Sequence, residues 1–296
     1  MRIVITETNK AIPLSDLITA TLRTDLFPVP MNFEFSVSRV DFYEKLLANN
    51  KEIMVGDYNT PFTIVRSIPV RTQSIKGTAL IGGVSCIALP TPFVKMISPL
   101  STAKILDSTS FCSVVRSFGI STRFGADIPL KRFVALCGSK PSERLANYMQ
   151  QEACVLCFEK ESVNFIKVKD FFKREAVIKL TSSSIAWLHS EQIANLQKYT
   201  YTSIDADGQT QINPELTKGL QVIQRAGLDS RQAKNMEKIL VSRGTLTRNM
   251  DMRLSAGQTV LVDDKKYVIL TSAHHFESGN LGGASVTATK LWIGSL

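Results

Sequence analysis

Histidine is nearly absent: the chain has three in 296 residues, at positions 189, 274 and 275. A histidine-based triad or a zinc helix would have to be assembled from these alone. No nucleophile elbow, P-loop, dinucleotide fingerprint or histidine–glutamate zinc helix occurs. Long basic runs are absent as well. The 35 Lys and Arg outnumber the 26 Asp and Glu, giving a formal net charge of +9, yet the densest clusters are pairs such as Lys131–Arg132, Lys173–Arg174 and Lys265–Lys266. A dedicated nucleic-acid groove masses basic residues on one element with aromatics between them. The excess here describes a mildly basic surface that can meet passing nucleic acid without a specific site.

No uninterrupted apolar run spans a bilayer. The one uncharged stretch of that length, 77–94, is broken by Gly77, Gly82, Gly83, Pro90 and Pro92 and reads as a buried strand pair, so no membrane insertion is expected. The first residues, with Glu7 close behind a short apolar run, do not make a signal peptide. Five cysteines without an evident pairing pattern point to folding in a reducing compartment. What is present is ordinary for a folded protein: 44% hydrophobic residues with unexceptional glycine and proline. A chain of this size buries roughly three quarters of its unfolded surface as one large domain or two to three small ones.

The first ninety-odd residues are β-rich. "NFEFSVSRV" (32–40) puts Phe33, Phe35 and Val37 on one face and Glu34, Ser36 and Ser38 on the other, the period of a half-buried strand. Two strands around a turn at Gly56–Pro61 follow, then "IKGTALIGGVSCIAL" in the same style, the pattern of a barrel or sandwich. After Pro99 the period changes. Phe111, Val114, Val115 and Phe118 recur as on a helix that Gly119 stops. A second helix is expected from Ser139, with Pro141 and Glu143 in its first turn and Leu145, Tyr148 and Met149 on one face. Strand periodicity returns at 153–204, and Asp207–Gly208 marks a hairpin turn. Leu216, Leu220 and Ile223 predict a helix ended by Gly227. Asp229 with Gln232 predicts a capping box on another helix, with Ala233, Met236 and Leu240 on its face. Strands around the Asp263–Lys266 turn end the sequence.

Four features invite a chemical reading. Cys154 and Cys157 form a CxxC, but "ACVLCFE" reads as a strand, which sends the two sulfurs to opposite faces about 10 Å apart along the chain. That is too far for a disulfide or a shared metal. His274 and His275 likewise point to opposite faces, one packed inside and one wet, and His189 has no visible partner. "DADG" (205–208) fails as a calcium loop at Gln209, Thr210 and Leu216. No pair among the acids stands out as a glycosidase dyad. No catalytic, cofactor-binding or metal residue is assigned, and the chain is read as no enzyme.

Two segments resemble a known family. "GSKPSERLANYMQQEACVLCFEKESVNFIKVKDF" is laid out as a helix with a leucine and aromatic stripe, then Glu152, a small residue, two strand-like apolar pairs and a polar turn. This is similar to the central segment of bacteriophage tail baseplate hub proteins, a family shared with the hub (head) part of type VI secretion spike proteins. Ala153 stands where the family has glycine. In "RLSAGQTVLVDDKKYVILTSAHHFESG", Gly257, Val260, Tyr267, Val268, Ser272, His275 and Phe276 occupy the family's places, and "TAKILDSTSFCSVVRSFGI" fits its preceding helix. The resemblance implies a β-rich α+β fold with two tail-tube-like β-barrels, 1–95 and 170–296, around a helical α+β connector, 96–169. It implies a free-standing homotrimer that adapts a six-fold tail tube to a three-fold spike and lines the DNA channel. The implied partners are a tail tube or distal tube protein, a separate spike protein, a tape measure protein and DNA passing without sequence-specific contact. No cofactor is implied, and the place of action is the virion tail baseplate after folding in the host cytoplasm. A tail-associated cell-wall hydrolase on a β-barrel scaffold and another tube-fold tail protein are the alternatives.

Overall fold

The computed structural model describes residues 1–76, 79–188, 199–204, 208–211, 221–279 and 284–296. The first β-rich region supplies β1 (Ile3–Ile5), β2 (Lys10–Ala11), β3 (Leu17–Asp25), β4 (Met31–Ser38), β5 (Glu52–Val55), β6 (Phe62–Lys76) and β7 (Ala79–Pro90), with helix α1 (Val40–Leu46) between β4 and β5. The middle of the chain supplies β8 (Lys104–Ser110), α2 (Phe111–Ser117), β9 (Arg123–Phe124), β10 (Pro129–Ala135), α3 (Pro141–Gln151), β11 (Cys154–Glu159) and β12 (Ser162–Lys167). Then come β13 (Ala176–Leu180), β14 (Ala186–Trp187), β15 (Tyr199–Ile204), β16 (Thr210–Gln211), β17 (Gln221–Gln224) and α4 (Ser230–Met236). The last strands are β18 (Val241–Asn249), β19 (Thr259–Val262), β20 (Lys265–Glu277) and β21 (Val286–Ser295).

One sheet joins both ends of the chain. Its strand order is β14-β18-β21-β20-β3-β4-β7-β6-β5-β1-β2, with β19 and then β13 branching from β20. The seam is β3 against β20, antiparallel from Asp25 opposite Thr271 to Thr19 opposite Glu277. None of the described sheets closes on itself. Three small sheets complete the strands: β8 with β10, β9 with β12 and β11, and β15 between β16 and β17.

The alternation read from 32–38 is what builds the sheet's two faces: Phe33, Phe35 and Val37 are buried while Glu34 is exposed. The largest core cluster stacks these side chains with Phe62, Phe93, Phe111, Phe133, Leu145 and Phe165, so the β sheet and the middle segment share one interior. Each such ring contributes roughly 1.5–3 kcal/mol by leaving water. A second cluster under β18–β21 holds Leu246, Val260, Ile269, Leu291 and Ile293.

Helix α2 starts on Ser110, whose hydroxyl accepts from the Ser113 N–H. Helix α3 begins with Pro141 in its first turn and buries Leu145 and Met149, one helical turn apart. Its N-cap is Lys140, one residue after the expected Ser139. The capping box at α4 is formed in full, Gln232 N–H donating to Asp229 Oδ1 at 2.7 Å and Asp229 N–H to Gln232 Oε1 at 3.1 Å. Helix α1 has no sequence forecast: Arg39, read as part of a strand, takes φ +62° and ends it. Ile223, expected on a helix, lies on strand β17, parallel to β15; Leu216 and Leu220 lie outside the described residues. Within 77–94 the described residues form one long strand, β7, and the start of a 3-10 turn rather than two strands, and Gly77 lies outside the described residues. Gly208 has φ +78° between the paired strands β15 and β16, while Asp205–Asp207 of that turn and His189 lie outside the described residues.

Candidate assembly surface

The two pairs singled out for chemistry that lie among the described residues, Cys154 with Cys157 and His274 with His275, fall on strands. Cys154 and Cys157 both lie on β11, and both are buried, but in different places. Cys154 joins the large core cluster, whereas Cys157 packs with Leu26, Ile166, Phe171, Ala256 and Val268. Both are free thiols, and burial pushes both well above the ordinary thiol range. Sequence alone did not show that β11 is covered on both faces.

His274 and His275 split across the sheet. Nε2 of His274 lies 3.0 Å from the Leu254 carbonyl, which can only accept, so the neutral ring carries its proton there. Nδ1 then accepts from Thr289 Oγ1 at 2.9 Å, and that hydroxyl oxygen accepts in turn from the Asp251 N–H at 2.8 Å. Burial lowers the His274 pKa, partly offset by the Leu254 hydrogen bond. His275 faces the other way, half-buried, with Nδ1 2.8 Å from Thr21 Oγ1. Among the described residues no group of three or more His, Cys, Asp and Glu is placed to hold a metal ion.

These two histidines mark two rows across seven strands, from β18 through β21, β20, β3, β4 and β7 to β6. The inner row runs Thr289, His274, Leu22, Phe33, Ala88 and Ile64, all buried, with Arg248 at its β18 end. The outer row runs Asn249, Ala288, His275, Thr21, Glu34, Ile87 and Arg66, every one exposed or half-exposed. The register therefore carries one exposed or half-exposed row over strands from both β-rich regions, although Ala273, on the same face between Arg23 and Lys290, is buried. The charges on this face are mixed: Arg23, Arg66 and Lys290 beside Glu34 and Glu277.

The Glu-plus-small-residue step after α3 has a clear physical role. Glu152 is 3% exposed and accepts from both guanidinium nitrogens of Arg231, at 2.5 and 2.7 Å. Lys167 Nζ donates to its carboxylate at 3.3 Å and to its carbonyl at 2.8 Å. Burial alone would raise the Glu152 pKa; Arg231 and Lys167 together hold it below the usual carboxylate range. Ala153 next to it has φ +45°, a left-handed conformation that favours glycine. Arg231 was not singled out in the sequence, because its partner lies 79 positions away.

Two clefts flank the sheet. An apolar one of 620 Å³ lies between α3, β11, β20 and β21, lined by Leu26, Met149, Val155, Ile239, Leu270 and Trp292. Phe27, 63% exposed, stands at its rim. A more polar one of 850 Å³ includes Glu161 and Arg174. Glu161, on the β11–β12 turn, ties the middle segment to the first β-rich region by accepting from Asn59 N–H at 2.5 Å and Thr60 N–H at 3.0 Å. No helix among the described residues is long and apolar enough to cross a membrane.

No family model matches the chain, and no curated protein matches its sequence. Solved structures do match its shape. A tail protein from Neisseria meningitidis MC58 superposes with a TM-score of 0.66 at 10% identity, covering 99% of this chain and 95% of that one. The 43 kDa tail protein of prophage MuSo2 from Shewanella oneidensis gives 0.64 at 11% identity, with 99% and 95% covered. An Escherichia coli type VI secretion component, described as similar in structure to the T4 bacteriophage tail proteins gp27 and gp5, gives 0.53 at 9% identity, with 94% and 73% covered. Coverage from end to end at so low an identity speaks to architecture: the chain has the fold shared by these phage tail proteins and this type VI secretion component, the fold to which the resemblance around Glu152 and His275 pointed.

Proposed function

We propose that this chain is the structural baseplate hub of a phage tail, a homotrimeric adaptor between a six-fold tube and a three-fold spike. The observation that carries the reading is the seven-strand wet row, which draws on both β-rich regions and carries mostly polar and charged side chains with Ala288 and Ile87 among them. In this reading 1–95 and 170–296 are the two tube-like β-barrel units and 96–169 connects them. Three copies set six such units around a channel, with the wet row turned inward. Hydroxyls and mixed charges suit a passage: a duplex slides past them, whereas massed Lys and Arg would hold its phosphates. The partners are a tube or distal tube protein on one side, a spike protein on the other, and a tape measure protein and DNA within. The role is mechanical rather than enzymatic, exercised in the virion tail. The type VI neighbour's described likeness to both gp27 and gp5 supports a spike partner.

Native mass spectrometry of the purified chain tests this directly. A trimer is expected, with each obligate contact burying on the order of 2,000 Å² or more. A hexamer would assign the chain to the tube or distal tail instead. A monomer that cleaves cell-wall glycan would replace the structural reading with the hydrolase.

A further inference from the structure

The middle segment holds a two-stranded sheet, β8 against β10, whose two outer edges differ. In an antiparallel ladder, opposite residues alternate between pairs that exchange both backbone hydrogen bonds and pairs that turn both groups away. Val134 turns away from β8. Its N–H donates to Tyr148 Oη at 3.0 Å, and its carbonyl accepts from Arg144 Nε at 3.2 Å and Nη2 at 2.9 Å. Side chains of α3 thus close the outer edge of β10. Ile105 lies opposite Val134, so its N–H and carbonyl point away from β10 as well. Asp107, two residues on and opposite Arg132, repeats the arrangement. Neither backbone has a hydrogen-bond partner among the described residues, and no described strand lies on that side. Ser108, with φ +48°, breaks the ladder and bounds the open stretch. Beside this edge Ile105 and Leu136 are 55% and 64% exposed.

We infer that the β8 edge is a docking site for an extended segment of a partner protein in which acidic residues alternate with apolar ones. This goes beyond the hub reading and does not depend on it. Two amides and two carbonyls, spaced two residues apart, are what an added strand pairs with; a docked helix has no free backbone groups to offer them. Ile105 and Leu136 give the apolar side chains of the incoming strand a surface to cover. Charge selects the rest of its sequence. On β8, β10 and the first turn of α3, Arg132 pairs with Asp107 at 3.3 Å and Lys140 with Glu143 at 3.4 Å. Lys104 and Lys131 are left over as uncompensated positive charge beside the edge. A second copy of β8 would bring the same excess and be repelled, whereas an acidic strand is attracted.

Nuclear magnetic resonance of the full chain tests this, with a capped peptide of about nine residues, Glu and Thr alternating with Val, as the probe. In the free chain the Ile105 and Asp107 amides should exchange with solvent at least about a hundredfold faster than those of Lys104 and Leu106, which face β10. Peptide at up to ~1 mM should shift the Ile105 and Asp107 amides and slow their exchange. The same peptide with Lys in place of Glu should bind at least about tenfold more weakly. Ile105→Pro removes an outward donor and no ladder hydrogen bond, so it should fold and lose the peptide. Leu136→Glu, which leaves the backbone intact, should weaken binding by about tenfold or more. Slow exchange at Ile105 and Asp107 in the free chain would show the edge already covered and overturn the inference. So would an Ile105→Pro variant that unfolds or still binds, no response to the glutamate peptide, or equal binding of the lysine form. Protection of the edge that grows with chain concentration alone would replace the partner with a second copy.

Discussion

The backbone of Gly257 rests on the thiol of Cys157: a methyl group built on Gly257 would stand 2.6 Å from Sγ. Leu26 and Phe171 close the same spot at 3.4 Å, and the glycine itself has φ +90°. Two segments that carry the family resemblance, one around 140–173 and one around 253–279, thus meet at this contact. Gly257→Ala should cost ~2 kcal/mol or more, from the left-handed backbone and the overpacked core together. Urea melts of Gly257→Ala, Cys157→Ala and the double variant should show favourable coupling, because removing the sulfur relieves the clash. Strict additivity would mean the contact carries no strain.

Ala153→Gly should stabilise the chain. Ala153 sits at φ +45° after α3, its N–H donating to the Gln150 carbonyl and its own carbonyl accepting from Val168. The left-handed penalty for alanine, ~1–2 kcal/mol, exceeds glycine's extra unfolded-state entropy, so a net gain of up to ~1 kcal/mol is expected. A lower thermal midpoint for the variant would show that the buried methyl matters more than the backbone.

Thiol chemistry should separate the cysteines. Cys137 is exposed, whereas Cys86, Cys112, Cys154 and Cys157 are buried, with burial raising the Cys86 pKa to about 11. Ellman's reagent on the native chain should therefore titrate one thiol quickly and the rest only on unfolding. The Cys154→Ala plus Cys157→Ala variant should still fold and assemble, losing at most ~4 kcal/mol of packing. Zinc that co-purifies in stoichiometric amount and is lost in this variant would reverse the reading of the pair.

Stability should fall in acid in two stages. His274 is held neutral, its pKa lowered by burial; its contribution is complete above the unfolded value near ~6.5 and is lost as pH falls through the folded one. Glu152 is held ionised below the ordinary carboxylate range, so its contribution is complete above ~4.3 and is lost as pH falls further. Chemical denaturation from pH 8 to about 2 should show both, and His274→Gln should flatten the upper stage while leaving the lower. An unchanged upper stage in that variant would assign it to another group.

Local order was legible where one residue's neighbours decide its fate. The alternation at Phe33–Val37, the spacing of Leu145 and Met149 and the Asp229–Gln232 box are short-range devices, and each forms as read. The split of His274 from His275 followed from the strand period alone. What the sequence did not display is anything settled by distant chain. Arg231 looks like any helix-surface arginine until α4 meets the end of α3, and Ile223 follows a helical spacing yet pairs with Tyr201 in a parallel ladder. Val40, Tyr43 and Leu47 do recur with helical spacing, but Val37 and Val40 blur where the strand ends.

The β3–β20 seam sets an order of events for synthesis. Thr19 waits for Glu277, so a ribosome must release the chain as far as β20 before β3 gains its second neighbour. Until then β3 offers an open edge of backbone donors and acceptors, the kind that recruits strands from other nascent chains. Contacts this far apart in sequence also slow the final collapse. Production of the protein should accordingly depend on translation speed and on holdase chaperones, and a truncation just before β20 should aggregate rather than leave the first β-rich region folded.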